Sequence, residues 1–314
     1  MARRAAGMNN IDVPGLQKGR SVVLVWGEKG SREPVLRRLR LEDAARAQAL
    51  SQAVGWGHTV EDWARLIVWG GRGCFCIAQG DRLIATAIAM GYGQDRAWIG
   101  MVITHPDCQR QGYGRQVTRA ALEYLQSQGV AHIMLDAAAA GRPLYEKMGF
   151  RPLYHIEMWT GRASDYLGPR ARPLRRSDLE RVVALDGQVF GVSRGRIIRR
   201  LAADFPRLGW VDEEDGEIVG FALAQTKAPN LVHIGPWVHR SPWGAEKLLR
   251  TALGALIGRQ VRVDIPDHNA QATVFAHNHD LRYQRRSTRM IYGDAPPPEA
   301  ILHYQYGIAS PATG

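Results

Sequence analysis

Cysteine is scarce in this chain, lysine is scarcer than arginine, and long apolar runs are missing altogether. The three cysteines among 314 residues, Cys74, Cys76 and Cys108, are an odd set, which excludes the paired framework of a small disulfide-stapled domain. Cys74 and Cys76 stand two apart in a strand-like stretch, so they share a face and are expected to be buried thiols in a reducing compartment. No zinc-ligand spacing completes around them. His268, His277 and His279 form the densest histidine group, but they lack carboxylate or thiolate partners at ligand spacing, so no metal is expected. No window approaches about 18 uninterrupted apolar residues, which argues against a membrane-spanning helix. Arg3 and Arg4 precede no apolar stretch of leader length, Val22 to Trp26 is too short to be one, and a cytoplasmic protein is expected. Acidic residues number 30 against 41 basic ones, a net charge of +11. That surplus suits a polyanionic partner. The basic residues are scattered over both halves, however, and no helix-turn-helix, zinc finger or aromatic RNA-binding pattern accompanies them, which disfavours nucleic acid.

What the chain does have is a glycine-rich turn in a telling place. Trp98, Gly100, Val102 and Thr104 alternate with Ile99, Met101 and Ile103, and a run apolar on both faces belongs inside a sheet. Pro106 ends it. Downstream, Val117, Ala121, Tyr124 and Leu125 fall at helical spacing until Gly129 stops the helix. Between the two lies Gln109-Arg110-Gln111-Gly112-Tyr113-Gly114. Glycines at 112 and 114 remove the Cβ atoms that would keep a ligand from the backbone, and the first N–H groups of a helix have no intrahelical acceptor. With the helix dipole and Arg110 or Arg115 adding positive potential, the turn reads as an anion cradle for a pyrophosphate. It lacks the third glycine and distant acid of a Rossmann turn and the Gly-Lys-Ser/Thr end of a P-loop. A glycine-rich turn alone also fits a tight turn with no ligand.

The spacing Q/R-x-x-G-x-G between strand and helix resembles the acetyl-CoA motif of the GNAT superfamily of N-acetyltransferases. A second signature follows the strand-like Ile133-Met134-Leu135: Gly141-Arg142-Pro143-Leu144-Tyr145-Glu146-Lys147-Met148-Gly149-Phe150 resembles the family's LYEKLGF segment. The resemblance implies an α/β fold with a mixed, mostly antiparallel sheet flanked by helices, and acetyl-CoA as cosubstrate. A basic protein would also attract coenzyme A. The cofactor would meet Gln109, Arg110, Gln111, Gly112, Tyr113, Gly114 and Arg115 at its phosphates. Backbone amides near Met101, Val102 and Ile103, where neighbouring strands splay in this family, would hold pantetheine and the thioester carbonyl. The family's tyrosine that protonates the departing thiolate matches Tyr145. From the residues alone, Tyr145 can also be a half-buried aromatic beneath the last strands.

The pattern then recurs. Cys74–Ala78, Gly80-Asp81 and Leu83–Met90 make a hairpin, and Trp210–Asp212, Asp215-Gly216 and Glu217–Ala224 make another. The strand at 98–104 and the helix after it are echoed by Leu231–His239 and Ala245–Leu256, the strand at Ile133 by Val261–Ile265, and the Tyr145 helix by Asn269–Asn278. Each half opens alike, with Val35–Arg40 before a helix at Glu42–Val54 and Arg172–Arg176 before one at Asp178–Val189. The organisation expected is a basic extension over residues 1–33, a GNAT domain over 34–160, a linker over 161–171, and a second GNAT-like domain over 172–314. A last strand-like piece, His303–Ile308, would add to a sheet edge.

The copies are unequal. An ungapped echo places Trp243 and Ala245 where the first has its glycines, with Pro242 removing an amide donor, and Ala276 or Phe275 where the first has Tyr145. Ile234-Gly235-Pro236-Trp237, Asp186, Phe190-Gly191 and Thr288-Arg289-Met290 resemble the C-terminal domain that accompanies some bacterial acetyltransferases. That domain is expected to complete the acceptor pocket or a dimer, not to catalyse. In the first copy, Trp56, His58 and Trp63 lie in and after the loop that lines the acceptor site in this fold; Gly55-Trp56-Gly57 can also simply pin a loop to the sheet. Attack on a thioester by an amine needs a base or a water relay. The central strand offers no glutamate, leaving His58, His105 or water. The activity expected is acetyl transfer from acetyl-CoA to the amine of a small molecule or peptide. A non-catalytic acyl-CoA sensor and a basic nucleic-acid-binding module are the readings from other classes.

Overall fold

A computed structural model describes residues 33–228, 230–294, 296 and 300–314. The basic extension expected at the N-terminus lies outside the described residues up to position 32. The first half runs β1 (Val35–Arg38), α1 (Ala44–Ala53), α2 (Val60–Gly70), β2 (Cys74–Gln79), β3 (Arg82–Tyr92), β4 (Arg96–Thr104), α3 (Tyr113–Ser127), β5 (His132–Ala137), α4 (Arg142–Glu146) and β6 (Phe150–Arg162). The second runs β7 (Arg172–Pro173), α5 (Leu179–Phe190), α6 (Gly195–Asp204), β8 (Gly209–Glu214), β9 (Glu217–Ala228), β10 (Leu231–His239), α7 (Pro242–Ala255), β11 (Gln260–Pro266), α8 (Ala270–Asn278), β12 (Arg282–Tyr292) and β13 (Gln305–Gly307).

Local chemistry explains the shared opening of the halves. Arg37 grips Asp43 through both terminal nitrogens at 2.7 and 2.8 Å, the Arg40 amide donates to the same carboxylate at 2.9 Å, and Arg46 joins it at 3.1 Å. Arg172, Asp178, Arg175 and Arg181 repeat the arrangement at 2.7 and 3.0, 2.8 and 2.8 Å. In each half a buried aspartate closes the short 3-10 turn that leads into the first helix, because its side chain accepts an amide the helix cannot satisfy. The hairpin signal between β8 and β9 is met by Asp215 and Gly216, both at positive φ (49° and 80°), as a two-residue turn matched to strand twist requires.

Helices α1, α2, α5 and α6 lie on one face of the sheet and share a single core that includes Leu50, Trp63, Leu66, Leu185, Phe190 and Leu201. Each large apolar side chain fully buried there contributes roughly 1.5–3 kcal/mol. The other face carries two cores, one under α3 with Ile99, Val117 and Leu125, the other under α7 and α8 with Trp237, Leu248 and Phe275. Strand alternation accounts for the division: Trp98 faces the shared core and Ile99 the α3 core.

The halves do not own separate sheets. The strand order β1-β2-β3-β4-β5-β12-β6-β11-β10-β9-β8-β7 places β12 of the second half between β5 and β6 of the first. Reciprocally, β6 lies between β12 and β11, paired from Gln260↔Arg162 to Pro266↔Ile156. Each half thus closes its sheet with a strand of the other, which a linear division of the chain does not convey. Most pairings are antiparallel. The two parallel ones, β4 with β5 and β10 with β11, are short: Arg96–Trp98 pairs with His132–Met134, and Leu231–Ile234 with Gln260–Val263. Beyond those residues each pair splays.

The second splay is filled from within. β13 pairs with β10 at Trp237↔Gly307 and Val238↔Gln305, while the Ile308 amide donates to the Asp264 carbonyl of β11 at 2.9 Å. The expectation that this last strand would extend a sheet edge is therefore corrected. The free backbone groups of two diverging strands are an internal pair of edges, and β13 satisfies them there.

Candidate active site

The glycine turn leads directly from β4 into α3. Gly112 is the residue before the helix and has φ +85°, a left-handed conformation that glycine adopts without the strain a Cβ would bring. A Cβ built on Gly112 would meet nothing within 4 Å, so the space in front of it is open. Gly114 is closely set: a Cβ there would lie 3.0 Å from the Thr104 hydroxyl and 3.8 Å from the Leu144 side chain. The turn therefore abuts both the end of β4 and the helix that carries Tyr145. The backbone N–H groups of residues 111–115 have no acceptor among the described residues, the expected state of a helix N-terminus without a side-chain cap. Gln109, Arg110, Gln111 and Arg115 are exposed around them.

Behind this cradle the β4–β5 splay begins at Trp98 and Met134. β4 carries an irregularity there: its register with β3 shifts between Ile88↔Gly100 and Thr86↔Ile103, and Met101 takes φ +52°. A bulge in a strand re-aims the backbone groups around it. The Met101 carbonyl is taken by the Thr86 hydroxyl at 2.9 Å. Met101 and Ile103 are buried in the shared core, whereas Val102 packs against the α3 core.

Tyr145 is 8% exposed and lies with Ile99, Val117 and Leu135 in the α3 core, its ring edge-on to Phe150 at 6.0 Å. Burial pushes its phenol well above the usual range, so it holds its proton at neutral pH.

On the opposite face, the loop between α1 and α2 places Trp56 and His58 with ring centroids 5.8 Å apart. His58 Nδ1 is buried and has no hydrogen-bond partner, and burial, reinforced by the nearby Lys227 charge, pushes the imidazole down to about 4. Asp62, the third residue of α2, exchanges hydrogen bonds with Thr59 as a capping box and also meets Arg65 and, at 3.3 Å, the Lys227 ammonium from β9. Burial lowers Lys227 while Asp62 opposes that shift. This cluster joins the two halves, and sequence reading missed its partners: Asp62 looks like an ordinary cap, and Lys227, one of very few lysines, stands 165 positions away.

Two expected site residues are corrected. Trp63 is fully buried and its indole N–H donates to Ser51 at 3.1 Å, so it is core rather than acceptor-facing. His105 caps the turn that leaves β4, accepting the Asp107 amide at 3.3 Å, and Arg82 lies 2.7 Å from its Nδ1; that engagement makes it unsuited to serve as a base. Cys74 and Cys76 are buried on one face as expected, and burial pushes both thiols up to about 12, leaving them unreactive.

The second copy differs at each functional point. Ser241 caps α7 and accepts the Gly244 amide at 3.3 Å, so the helix N-terminus is partly satisfied from within. Its splay holds β13, and Tyr306 of that strand packs on Trp237 (5.2 Å) and Phe275 (6.3 Å). His268 and His279 engage Leu302 and Glu246 separately rather than converging. Among the described residues the one ligand-like trio is Asp212, Glu214 and His239, and there the Lys247 ammonium already occupies Asp212. No helix of the described residues is long and apolar enough to cross a membrane.

Two acetyltransferase (GNAT) family models match, the GNAT family model over residues 41–150 and a second GNAT domain model over residues 182–307. The chain belongs to the GNAT acetyltransferases. Both matches fall on the two halves recognised from the internal repeat, so it is a tandem member, and membership places it among the acyltransferases. It is 27% identical over 211 residues to the uncharacterized N-acetyltransferase YitH of Bacillus subtilis, covering 66% of this chain and 69% of that one. Its fold is similar to that of a candidate acetyltransferase from Pyrococcus horikoshii, with a TM-score of 0.77 at 22% identity over 94% of this chain and 99% of the other. It is similar too to a tandem GNAT protein from the clavulanic acid biosynthesis pathway, with a TM-score of 0.56 at 14% identity over 84% of this chain and all of that one.

Proposed function

We propose that the chain is an acetyl-CoA-dependent N-acetyltransferase acting on the amine of a small molecule or peptide, with the first half catalysing and the second supporting the acceptor side. The observation that carries this reading is the set of unpartnered amides at 111–115, opening on free space at Gly112 and backed by the β4–β5 splay, where pairing ends at Trp98 and Met134. Convergent N–H groups with a helix dipole behind them suit a pyrophosphate. Acetyl-CoA would supply an activated acyl carbon and a thiolate leaving group. The chain's part is to fix the phosphates, to expose backbone donors at the β4 bulge, and to hold a proton on the Tyr145 oxygen for the departing sulfur. His58 is neutral at physiological pH and can accept a hydrogen bond from an uncharged amine. The cationic Lys227 and Arg262, both of which depress His58, also favour the uncharged form of an amine bound near them. The second half has its splay filled by β13 and its helix N-terminus capped by Ser241, which supports a non-catalytic role for it.

Calorimetric titration with acetyl-CoA of the wild-type protein and of Gly112→Val tests the reading. The substitution adds a side chain to open space and strains φ by about 1–2 kcal/mol, so the fold should persist by circular dichroism while affinity falls at least tenfold. Equal affinity in the two proteins would remove the cradle, and absence of binding in both would remove the function.

A further inference from the structure

The acyl end of a cofactor seated in the cradle would reach the apex of the β4–β5 splay, and the face of β4 opposite α3 is covered there by the chain's own last residues. Trp98 and Gly100 share that face. A Cβ on Gly100 would lie 2.8 Å from the Cα of Ala312 and 3.0 Å from its carbonyl oxygen, so the backbone of the 309–314 segment rests directly on β4, one residue before the Met101 bulge. The Tyr92 hydroxyl donates to the Thr313 carbonyl at 2.7 Å. Arg194, held by Asp186 at 2.8 and 3.0 Å, donates to the Gly314 carbonyl. The segment is also bonded to itself, the Gly314 amide to the Ser310 carbonyl at 2.9 Å and the Ala309 amide to the Gly314 carbonyl at 3.2 Å. Thr313 is 2% exposed. Its path is set upstream, where β13 is locked between β10 and β11.

We propose that residues Ala309–Gly314, delivered by the second half, form the acceptor-side wall of the first half's acyl site and restrict it to small acceptors. An incoming amine must reach the apex from the face that the α3 core does not fill, and on that face the space over Gly100 is taken by Ala312. Beside it, a cavity of about 40 Å³, room for a small group, is bordered by Trp98, Met134, Tyr154, Phe190 and Arg289. Ser310, Pro311, Ala312 and Thr313 bring no charge to this wall. Nearby, Arg194 is paired with Asp186 and Arg289 with Asp136, and Arg96, which borders the same cavity, donates to the Phe190 carbonyl. The side chains of the segment therefore contribute bulk rather than charge to the wall.

This rests on the acetyl-CoA reading, and the test separates the two. Thiol release from acetyl-CoA is followed with water, methylamine and benzylamine as acceptors in the full chain, in a chain lacking residues 310–314, and in Gly100→Ala. Acetyl-CoA affinity should stay within about twofold in all three. Release to water should rise in the shortened chain, and the benzylamine-to-methylamine ratio of kcat/KM should rise at least tenfold in both variants. Preserved acetyl-CoA affinity with an unchanged ratio and unchanged release to water would overturn the wall. The seat itself is read without cofactor: Gly100→Ala should lower Tm and speed amide exchange at 309–314 in the full chain but leave Tm unchanged in the shortened one. Equal Tm losses in both backgrounds would overturn it. Failure of acetyl-CoA to bind the full chain refutes the cofactor reading, while the Tm comparison still judges the seat.

Discussion

Arg289 and Asp136 offer the most quantitative test of how the halves are joined. Arg289 sits on β12 of the second half and Asp136 on β5 of the first, and both are almost wholly buried. The guanidinium donates to both carboxylate oxygens at 2.8 Å and to the Tyr154 hydroxyl oxygen at 3.0 Å, and lies 4.4 Å over the Trp98 ring. Burial raises the Asp136 carboxyl, and the adjacent guanidinium opposes that shift. Arg289→Met would leave that carboxylate buried and alone, which costs about 3–5 kcal/mol. A domain's whole stability is about 5–15 kcal/mol. With a urea m-value of about 3 kcal/mol/M, the midpoint should fall by more than about 1 M. Arg289→Met with Asp136→Leu removes the stranded charge and should return to within about 1 kcal/mol of wild type. The single variant should also depend on pH in a set direction. An acid whose folded pKa exceeds its unfolded value near 3.9 contributes fully below that value and loses its contribution as pH rises, so the loss of stability of Arg289→Met relative to wild type should be smaller at pH 5 than at pH 8. A single-variant loss below about 1 kcal/mol, or a double variant as unstable as the single, would refute the account of a desolvated pair clasping the halves.

Three further outcomes are expected. Tyr145→Phe should lower turnover roughly a hundredfold with acetyl-CoA affinity unchanged, and an unaltered single-turnover rate would strip the phenol of its role. His58, depressed to about 4 by burial and then by Lys227, should titrate near that value by NMR and move up in Lys227→Met; because it is more basic unfolded, the protein should lose stability as pH falls from about 6.5 toward 4. A His58 midpoint at 6.5 would place it in solvent. Asp178 is held down to about 2 first by its hydrogen bond from Arg172, against a burial penalty, with the Arg175 amide assisting. Its stabilising contribution is present above the ordinary carboxylate range and disappears toward pH 2, so Asp178→Asn should flatten the fall of Tm between about pH 4 and pH 2, and an unchanged acid limb would assign that fall to other groups.

The sequence by itself determined what depends on neighbours in the chain. Strand alternation at 98–104, the helical spacing after Gly114 and the turn at Asp215-Gly216 are local patterns, and the cradle is a local object: a strand end, two glycines and a helix start within a few residues. The internal repeat was legible for the same reason, since each copy carries its own periodicities; the matching pairs Arg37–Asp43 and Arg172–Asp178 came to light only in the structure. Only the tertiary structure decided which strands close which sheet. Backbone hydrogen bonds between strands carry no mark of which strand the partner is, so nothing in β6 or β12 announced that they would cross between the halves. The same holds for β13, whose short apolar run suits an edge or an interior splay alike, and for Trp63, whose spacing fits a loop-facing or a core position equally. Long-range charge partners such as Lys227 with Asp62 and Arg289 with Asp136 are more than 150 positions apart. They meet only because the shared sheet brings the two halves onto one core.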